Sequence, residues 1–454
     1  MGIKSYKKYL IEAFPNIVIK NKPDNIHTLC IDANAILHQV CHIAKTKDKF
    51  HKILINMLKN NIKIINPSFV AIFTDGQAIL AKAKTQIKRR NKYLYSKSSG
   101  VSSLNLTPGT PFMEFVDDII SDFLKSLPIK SFYSSSKENN EGEIKLFEWL
   151  IKNNNTMGIT DPNSKVLQNK ICICGDDSDL IVLALASRPL VDIYIYTEKK
   201  YLSLYKLIDN LAKIVPSKFN YNWYPVRMDF VLLSLFQGND YNNRISQFNK
   251  LLKSYIKLQK NKEGFLVNKN SNLNMKTIKK LVLKIHSPDI DSTDFNNVKE
   301  YFKSIQWNIN LYTGKTVNNF IPNYKNINIT SIIKYMPNNI ESVNEPINWL
   351  NPDVYTLLLM PSTGKHLLPE RLQPLMNDDS PIKDLFPDPC SKCIEWKNKL
   401  SKIILPPKDA NDDEKTKYKN LLSITSQGYA KHIKKAHLIK ELPIARIQEA
   451  VSNL

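Results

Sequence analysis

The chain has 454 residues, of which 43% are hydrophobic and 23% are charged, with 64 lysine and arginine residues against 42 aspartate and glutamate residues. Apolar and aromatic residues are too plentiful for a disordered chain, and only 12 glycines exclude a collagen-like or glycine-rich class. The net charge of +22 indicates a polyanionic partner, with nucleic acid ahead of an anionic membrane, although an AT-rich genome would explain part of the lysine excess.

The sequence also argues against a secreted or membrane protein. No segment reaches the roughly 18 consecutive apolar residues of a membrane span, and the first residues show an amphipathic helix pattern rather than a signal peptide. Six cysteines in a chain of this length favour a reducing compartment over a disulfide framework. We therefore expect an intracellular protein without a membrane partner, cytoplasmic rather than nuclear.

Short apolar runs alternate with helical patterns in the first half of the chain. Runs bounded by turn or acidic residues are typical of buried strands, and their alternation with helices predicts a largely parallel α/β sheet. These runs are HTLCIDANAIL (27–37), PSFVAIFTDG (67–76), NKICICGDDSDLIVLAL (169–185) and VDIYIYT (191–197). Further along, the chain is rich in lysine and asparagine to about residue 345, rich in proline and leucine to about residue 387, and then basic and helical.

Acidic residues follow three of the predicted strands. The carboxyl ends of parallel strands share one edge of a sheet, which is where the sites of open α/β sheets lie. A single such aspartate is explained equally well as a helix cap, but two carboxylates about 4 Å apart repel by about 4 kcal/mol, so a cluster needs cations. Hard oxygen ligands favour Mg²⁺ or Mn²⁺ over zinc, and paired ions of this kind support in-line phosphoryl displacement. The predicted cluster comprises Asp32, Asp75, Glu141, Glu143, Asp177, Asp179 and Asp240.

A basic segment, residues 76–90, follows the second of these aspartates directly. At helical spacing, Lys82, Gln86 and either Arg89 or Arg90 fall on one face. Such a face beside a metal site would hold a phosphate, because the planar guanidinium of arginine binds two phosphate oxygens at once. The alternative is an ordinary solvated helix face.

Taken together, these segments resemble the XRN family of 5′→3′ exoribonucleases, within a superfamily that includes flap endonucleases. The matching segments follow the family's order across residues 1–387. They are MGIKSYKKYLIEAFP (1–15), IDANAILH (31–38), TDGQAILAKAKTQIKRR (74–90), TPGTPFM (107–113), NEGEIKLFEWL (140–150), CGDDSDLIVLAL (174–185), DFVLLSLFQGNDY (229–241) and LLPERLQPLMNDDSPIKDLFP (367–387).

The resemblance implies a fold and an activity. The fold would be α/β, with a mostly parallel central sheet flanked by helices, as in PIN-like 5′ nucleases. Residues 1–245 would form the nuclease core, 246–387 a mainly helical second region, and 388–454 a small basic helical module. The activity would be processive 5′→3′ degradation of single-stranded RNA with a 5′-monophosphate to mononucleotides in RNA decay. It would use two Mg²⁺ or Mn²⁺ ions, and decapping factors would be candidate partners.

The resemblance also implies roles by position. The seven carboxylates would be the catalytic metal ligands, and Lys82, Gln86, Arg89 and Arg90 would form the pocket for the 5′-monophosphate. One departure from the family pattern concerns the metal ligands: another acid, Asp176, precedes Asp177, which leaves the register of this ligand open by one position. A second departure is Asn139-Asn140, which replaces the family's Pro-Gly before the E-G-E motif.

A third departure concerns the first base of the substrate. His38 matches a family histidine that stacks on this base, opposite a tryptophan. The corresponding segment here, residues 318–326, has no tryptophan. Phe320 or Tyr324 would substitute, because any aromatic face can stack a base.

The end of the chain contains a Cys-x-x-Cys pair, Cys390 and Cys393, followed by His432 and His437. Two thiolates and two imidazoles are a common zinc set. However, the gap between the pairs is long, and histidines five positions apart would not share one face of a regular helix. The alternative is a pair of buried thiols with two surface histidines. The other four cysteines lie in apolar patterns and are predicted core residues.

Two other functions stay open at this point. A flap-type DNA 5′ nuclease would share the metal site, but the T-P-G-T and D-x-S-P-I-x-D segments argue against it, as does the lack of a helix-hairpin-helix pattern after Asp240. A non-catalytic RNA-binding module would have lost metal carboxylates, whereas all seven expected positions are acidic.

Overall fold

A computed structural model describes the chain except for residues 1–2, 4–5, 96–99, 154–169, 188–191, 215–222, 286–293, 316, 318, 325–326, 341–346, 408–410, 438 and 440. The chain divides into two units. Unit 1 comprises residues 1–82 and 116–349, and unit 2 comprises residues 83–115 and 350–454. The division at residues 245 and 387 that the resemblance implies stays a prediction.

Unit 1 contains a seven-stranded sheet. Its strands are β1 (Val18–Ile19), β2 (Ile26–Asp32), β3 (Phe69–Phe73), β4 (Lys130–Ser134), β5 (Lys170–Cys174), β6 (Ile193–Thr197) and β7 (Lys200–Ser203). The strand order is β1-β7-β6-β5-β2-β3-β4. The run from β6 to β4 is parallel, while β7 is antiparallel to β6 and β1 is antiparallel to β7. This confirms the predicted α/β fold with a mostly parallel sheet.

The central strands are almost wholly buried, as expected for a parallel sheet covered by helices. In the sheet register, Asp32 at the end of β2 lies beside Phe73 of β3, and Ile31 lies beside Cys174 of β5. Because these three strands are neighbours and parallel, the chain leaves all of them at the same edge of the sheet. The residues that follow them therefore meet there.

Helices pack around this sheet and extend beyond it. Buried apolar side chains of β2, β3, β5 and the later helices form one hydrophobic core in unit 1. The helices up to residue 349 are α1 (Tyr6–Ala13), α2 (Ala33–Ile43), α3 (Lys47–Ile65), α4 (Leu80–Arg90), α5 (Pro111–Lys125), α6 (Gly142–Lys152), α7 (Asp179–Ala186), α8 (Leu204–Ile214), α9 (Trp223–Phe236), α10 (Phe248–Lys260), α11 (Met275–Leu283), α12 (Phe295–Tyr312) and α13 (Ile329–Tyr335). Of these, α4 and α5 continue from one unit into the other.

Unit 2 is helical in its described part. Its further helices are α14 (Pro352–Leu359), α15 (Ser391–Ser401), α16 (Asp412–Ala436) and α17 (Ile444–Ser452). Helix α14 packs on α17, and α15 packs on α16. The short 3₁₀ helices of the chain are Pro15–Ile17, Asn91–Tyr95, Ser362–Leu367, Glu370–Met376 and Lys383–Leu385. Across the described residues of both units, no helix combines the length and the apolar character needed to cross a membrane.

Candidate active site

The first two predicted carboxylates are joined by an asparagine. Asp32 is the last residue of β2 and Asp75 follows β3. The Asn34 side-chain nitrogen donates to Oδ1 of Asp32 at 3.0 Å and to Oδ1 of Asp75 at 2.5 Å, and its oxygen accepts from the backbone nitrogen of Asp75 at 3.1 Å. Asn34 therefore holds the two carboxylates side by side across adjacent strands.

Helix α6 brings two further carboxylates to this edge. Glu141 is its N-cap residue and Glu143 lies in its first turn. Between them, the backbone nitrogen of Gly142 donates to Oδ1 of Asp75 at 2.8 Å. A Cβ atom at position 142 would lie 2.9 Å from the Asn34 amide nitrogen, closer than side chains normally approach. Glycine is therefore needed here so that α6 can approach the strand ends.

A buried lysine lies among the carboxylates. The Nζ atom of Lys82 is 2.7 Å from Oε2 of Glu141, 3.2 Å from Oδ2 of Asp240 and 3.9 Å from Oε1 of Glu143. The Tyr241 hydroxyl donates to the same Glu141 oxygen at 3.3 Å. Burial alone would lower the pKa of Lys82, but the surrounding carboxylates, Glu141 first, raise it well above its usual value. The ammonium is therefore charged.

The structure separates the roles of the two aspartates that follow β5. Asp176 accepts a hydrogen bond from the Thr197 hydroxyl of β6 at 2.5 Å. Asp177 instead acts electrostatically on both Asp32 and Glu143, whose pKa values it helps to raise. These interactions favour Asp177 over Asp176 as the member of the carboxylate cluster, and its role as a metal ligand stays a prediction.

Asp179, the first residue of α7, is fixed by the start of the chain. Its Oδ1 atom accepts from the backbone nitrogen of Ile3 at 3.2 Å, and the Ser178 hydroxyl donates to the carbonyl oxygen of Ile3 at 3.1 Å. The backbone nitrogen of Asp179 donates to Asp177 at 3.1 Å. The backbone of the buried Ile3 thus helps to orient this carboxylate.

The electrostatics of the cluster show a shortage of positive charge. Burial, together with the charge of Asp75, raises the pKa of Asp32 to about 7. Burial and the charge of Asp177 raise the pKa of Asp179 to about 7. Burial also raises the pKa values of the two glutamates against the opposing effect of the neighbouring lysine. A single ammonium does not offset this set of carboxylates, so the donor set fits hard divalent cations such as Mg²⁺ or Mn²⁺. All seven predicted residues interact here, and their role as metal ligands stays a prediction.

Arg90 of α4 is anchored by two side chains of unit 2. Arg90 donates through Nε to the Thr107 hydroxyl at 2.9 Å and through a terminal nitrogen to the side-chain oxygen of Gln86 at 2.6 Å. Arg89 is half-buried on the same helix. Lys82 belongs to unit 1, and the common phosphate-binding role of the four residues stays a prediction.

The residues expected to stack on a base lie in unit 1. His38 is half-buried on α2. The Tyr324 hydroxyl accepts from the backbone nitrogen of Asn243 at 3.1 Å, and its ring packs edge-on against Tyr301. The Phe320 ring lies 6.1 Å from that of Trp307. Which aromatic residue would face His38 stays a prediction.

At the Asn139-Asn140 departure, the turn before α6 places Asn140 in a left-handed backbone conformation. Asn140 has a φ of +86°, in the left-handed region where asparagine is tolerated best after glycine. Its backbone nitrogen donates to the carbonyl of Gln77 at 2.8 Å, and its carbonyl accepts from the nitrogen of Gly76 at 2.9 Å. The loop that delivers the two glutamates is therefore tied to the segment after β3.

The four C-terminal cysteine and histidine residues come together in unit 2. Their ligand atoms all lie within 4.8 Å of one another. The sequence-based objection to the histidine spacing does not apply, because α16 ends at Ala436 and His437 is the residue that follows the helix. We call Cys390, Cys393, His432 and His437 the Cys/His cluster.

Several residues of the site were not identified from the sequence. Asn34 has a local signal, since it lies two positions after Asp32 in the I-D-A-N segment. Tyr241, Thr107 and the backbone of Ile3 have none, because their contacts join residues that are distant in the chain. Such partners become visible only in the folded structure.

Comparison with known proteins gives matches along the N-terminal part. Residues 1–198 match the family described as XRN 5'-3' exonuclease N-terminus. The chain is 24% identical over 350 residues to 5'-3' exoribonuclease 1 of Saccharomyces cerevisiae, covering 61% of this chain and 22% of that protein. It is 22% identical over 252 residues to a 5'-3' exoribonuclease 2 homolog of Caenorhabditis elegans, covering 41% of this chain and 25% of that protein. The chain therefore spans about a quarter of the length of these relatives.

Among solved structures, the chain is similar to the catalytic core of Rad2 in complex with DNA substrate. The sequences are 15% identical, the alignment covers 81% of this chain and 95% of that chain, and the TM-score is 0.35.

Proposed function

We propose that this chain, whose residues 1–198 match the family of XRN 5'-3' exonuclease N-termini, is a member of that family and degrades single-stranded RNA from a 5′-monophosphate end. The reaction would be a processive, Mg²⁺- or Mn²⁺-dependent hydrolysis of phosphodiester bonds that releases mononucleotides. Uncapped RNA, the product of decapping, carries such an end, so decapping factors are the class of partner that would supply the substrate. None of the six cysteines forms a disulfide in the structure, which suits a reducing compartment.

One observation carries this proposal: seven carboxylates from the ends of neighbouring strands and the adjoining helices interact with one another, and Lys82 lies among four of them. Bound divalent ions would supply activation of the attacking water and stabilisation of the leaving 3′-oxygen. An RNA-binding module without catalysis would have no use for so much buried, mutually repelling charge. The full carboxylate set is Asp32, Asp75, Glu141, Glu143, Asp177, Asp179 and Asp240.

The residues of the chain prepare this chemistry in defined ways. Asn34 orients Asp32 and Asp75, which would otherwise repel one another. Lys82 offsets part of the negative charge on Glu141 and Asp240, and its ammonium is the group within the cluster suited to a phosphate oxygen. These contacts hold the carboxylates close together.

Selection of the 5′ end would depend on the cationic part of α4. Arg90 is fixed by Thr107 and Gln86, so its guanidinium loses little freedom on binding phosphate. A 5′-hydroxyl end would leave these buried or half-buried donors without their anion, which disfavours that substrate.

The proposal is tested with labelled RNA and DNA that carry a 5′-monophosphate, a 5′-triphosphate or a 5′-hydroxyl, each with and without Mg²⁺. We expect mononucleotides from single-stranded, monophosphorylated RNA only when Mg²⁺ is present. Cleavage of DNA flaps without degradation of RNA would instead indicate a structure-specific DNA nuclease. Binding of RNA without cleavage in either Mg²⁺ or Mn²⁺ would indicate a non-catalytic module, and both results would overturn the proposal.

A further inference from the structure

The Cys/His cluster has the donor set and the spacing of a tetrahedral metal site. Sγ of Cys390 is 3.5 Å from Nε2 of His432, and Sγ of Cys393 is 3.3 Å from Nε2 of His437. With usual zinc bonds to sulfur and nitrogen, the sulfur–nitrogen edge of a tetrahedron measures about 3.6 Å. The observed distances are close to that value, and all four ligand atoms lie within 4.8 Å of one another.

The local structure explains why these residues meet. Cys390 is the N-cap residue of α15 and Cys393 lies in its first turn, where the helix dipole stabilises thiolates. His432 lies near the end of α16, and His437 follows it with φ −125° and ψ 27°. This backbone leaves the helical path, so two histidines five positions apart approach one another, with ring centroids 5.3 Å apart.

The α15–α16 pair has little apolar core to hold it together. Among the side chains that the structure describes in α16, only Thr425 is buried, and only Cys393 is buried in α15. Leu421 and Ile424 are 54% and 69% exposed. Small modules without a sufficient core depend on a metal or a disulfide, and the two cysteines here do not form a disulfide.

We propose that Cys390, Cys393, His432 and His437 bind one structural zinc ion that joins the start of α15 to the end of α16. All four coordination positions would be filled by protein, which leaves none for water or substrate. Binding releases the two thiol protons, so two thiolates balance the charge of the ion. The site is distinct in chemistry from the carboxylate cluster, because soft sulfur ligands select zinc over Mg²⁺.

The test measures zinc by elemental analysis in the full-length chain, purified under reducing conditions and dialysed against a zinc buffer. We expect about one ion per chain and at least a tenfold loss in Cys393→Ser and in His437→Ala. His437 is exposed, so its replacement tests the site without removing a core residue. His366→Ala, at an exposed histidine elsewhere in unit 2, should keep the ion.

A further variant separates zinc binding from simple thiol–imidazole hydrogen bonding, which the same distances would allow. His432→Cys removes the hydrogen bond to Cys390 but creates a Cys₃His set, which also binds zinc. Retention of zinc in this variant, together with visible absorption of a tetrahedral thiolate complex after Co²⁺ substitution, supports the proposal. Wild-type protein without zinc, or equal zinc content in Cys393→Ser, His437→Ala and the wild type, would overturn it.

Discussion

The carboxylate cluster of unit 1 and the Cys/His cluster of unit 2 hold their candidate metal-binding side chains together in different ways. In the Cys/His cluster, four ligand atoms lie within 4.8 Å of one another. In the carboxylate cluster, Glu141 and Asp240 instead contact the ammonium group of Lys82. Thiols and imidazoles are largely uncharged at neutral pH and can approach without a cation. Carboxylates repel one another, so a lysine and hydrogen bonds from an asparagine are needed to keep them near.

The two sets of side chains would bind metal ions for different purposes. Oxygen ligands around a hard ion leave room for water and substrate, and they release the ion readily. Two thiolates and two imidazoles enclose an ion that stays in place and contributes to folding. We therefore expect changes in the first cluster to alter the reaction and changes in the second to alter the structure of unit 2.

The largest expected effect is on the reaction, and it is tested at two adjacent aspartates. Asp177→Ala removes a member of the cluster and should lower the rate of RNA hydrolysis by about 10³-fold or more, because a metal ligand is lost. RNA binding should persist. Asp176→Ala, the matched control, removes only the partner of Thr197. Single-turnover rates on monophosphorylated RNA measure both, and an equal loss in the two variants would contradict the assignment.

The second prediction concerns the arginines of α4, which belong to neither cluster. Arg89→Ala combined with Arg90→Ala should reduce the preference for a 5′-monophosphate over a 5′-hydroxyl by about 10²-fold, since two charge-assisted hydrogen bonds are lost. Lys88→Ala, on an exposed position of the same helix, serves as the control. The ratio of kcat/KM for the two RNA ends gives the result. Unchanged discrimination in the double variant would remove the support for a phosphate pocket.

The third prediction compares two glycines, one near each cluster. A methyl group at Gly142 would lie 2.9 Å from the Asn34 amide and 3.2 Å from Asp32, whereas one at Gly428 would meet the Trp396 ring of the α15–α16 pair at 2.5 Å. Gly142→Ala should therefore lower the hydrolysis rate by about tenfold through displaced ligands. Gly428→Ala should lower the thermal stability and leave the rate per folded molecule unchanged. A normal rate in Gly142→Ala would show that the close approach is not required.

Sequence patterns predicted the fold and the carboxylates for a physical reason. Strands with strong apolar runs are buried, and the ends of adjacent parallel strands share an edge, so Asp32, Asp75 and Asp177 were expected to be neighbours. The position of Lys82 could not be predicted in the same way. Its ammonium lies among the carboxylates because of how α4 follows the loop after β3, and the spacing of basic residues contains no information about that loop.

Two further features depend on a long-range contact and on the end of a helix, which sequence periodicity does not show. The choice between Asp176 and Asp177 follows from a hydrogen bond to Thr197 on β6, a strand that begins well after β5 in the chain. His432 and His437 lie close together because α16 ends at Ala436. The basic sequence around Ala436 contains no signal for this helix end. Helix ends are set by capping and packing, which periodicity alone does not resolve.

The smallest expected effect is a pH-dependent response to Mg²⁺, which reports on the carboxylate cluster alone because thiols and imidazoles bind Mg²⁺ poorly. Burial raises the pKa values of Asp32 and Asp179 from 3.8 to about 7. Their folded pKa values lie above the unfolded ones, so the stability from this source is present below about pH 4 and is lost as the pH rises through about 7. Mg²⁺ competes with these protons. We therefore expect Mg²⁺ to raise the melting temperature by a few degrees at about pH 8 and by much less at about pH 5.5, with a smaller difference in Asp32→Asn. Equal increases in melting temperature at both pH values would mean that Mg²⁺ does not compete with protons for these carboxyl groups.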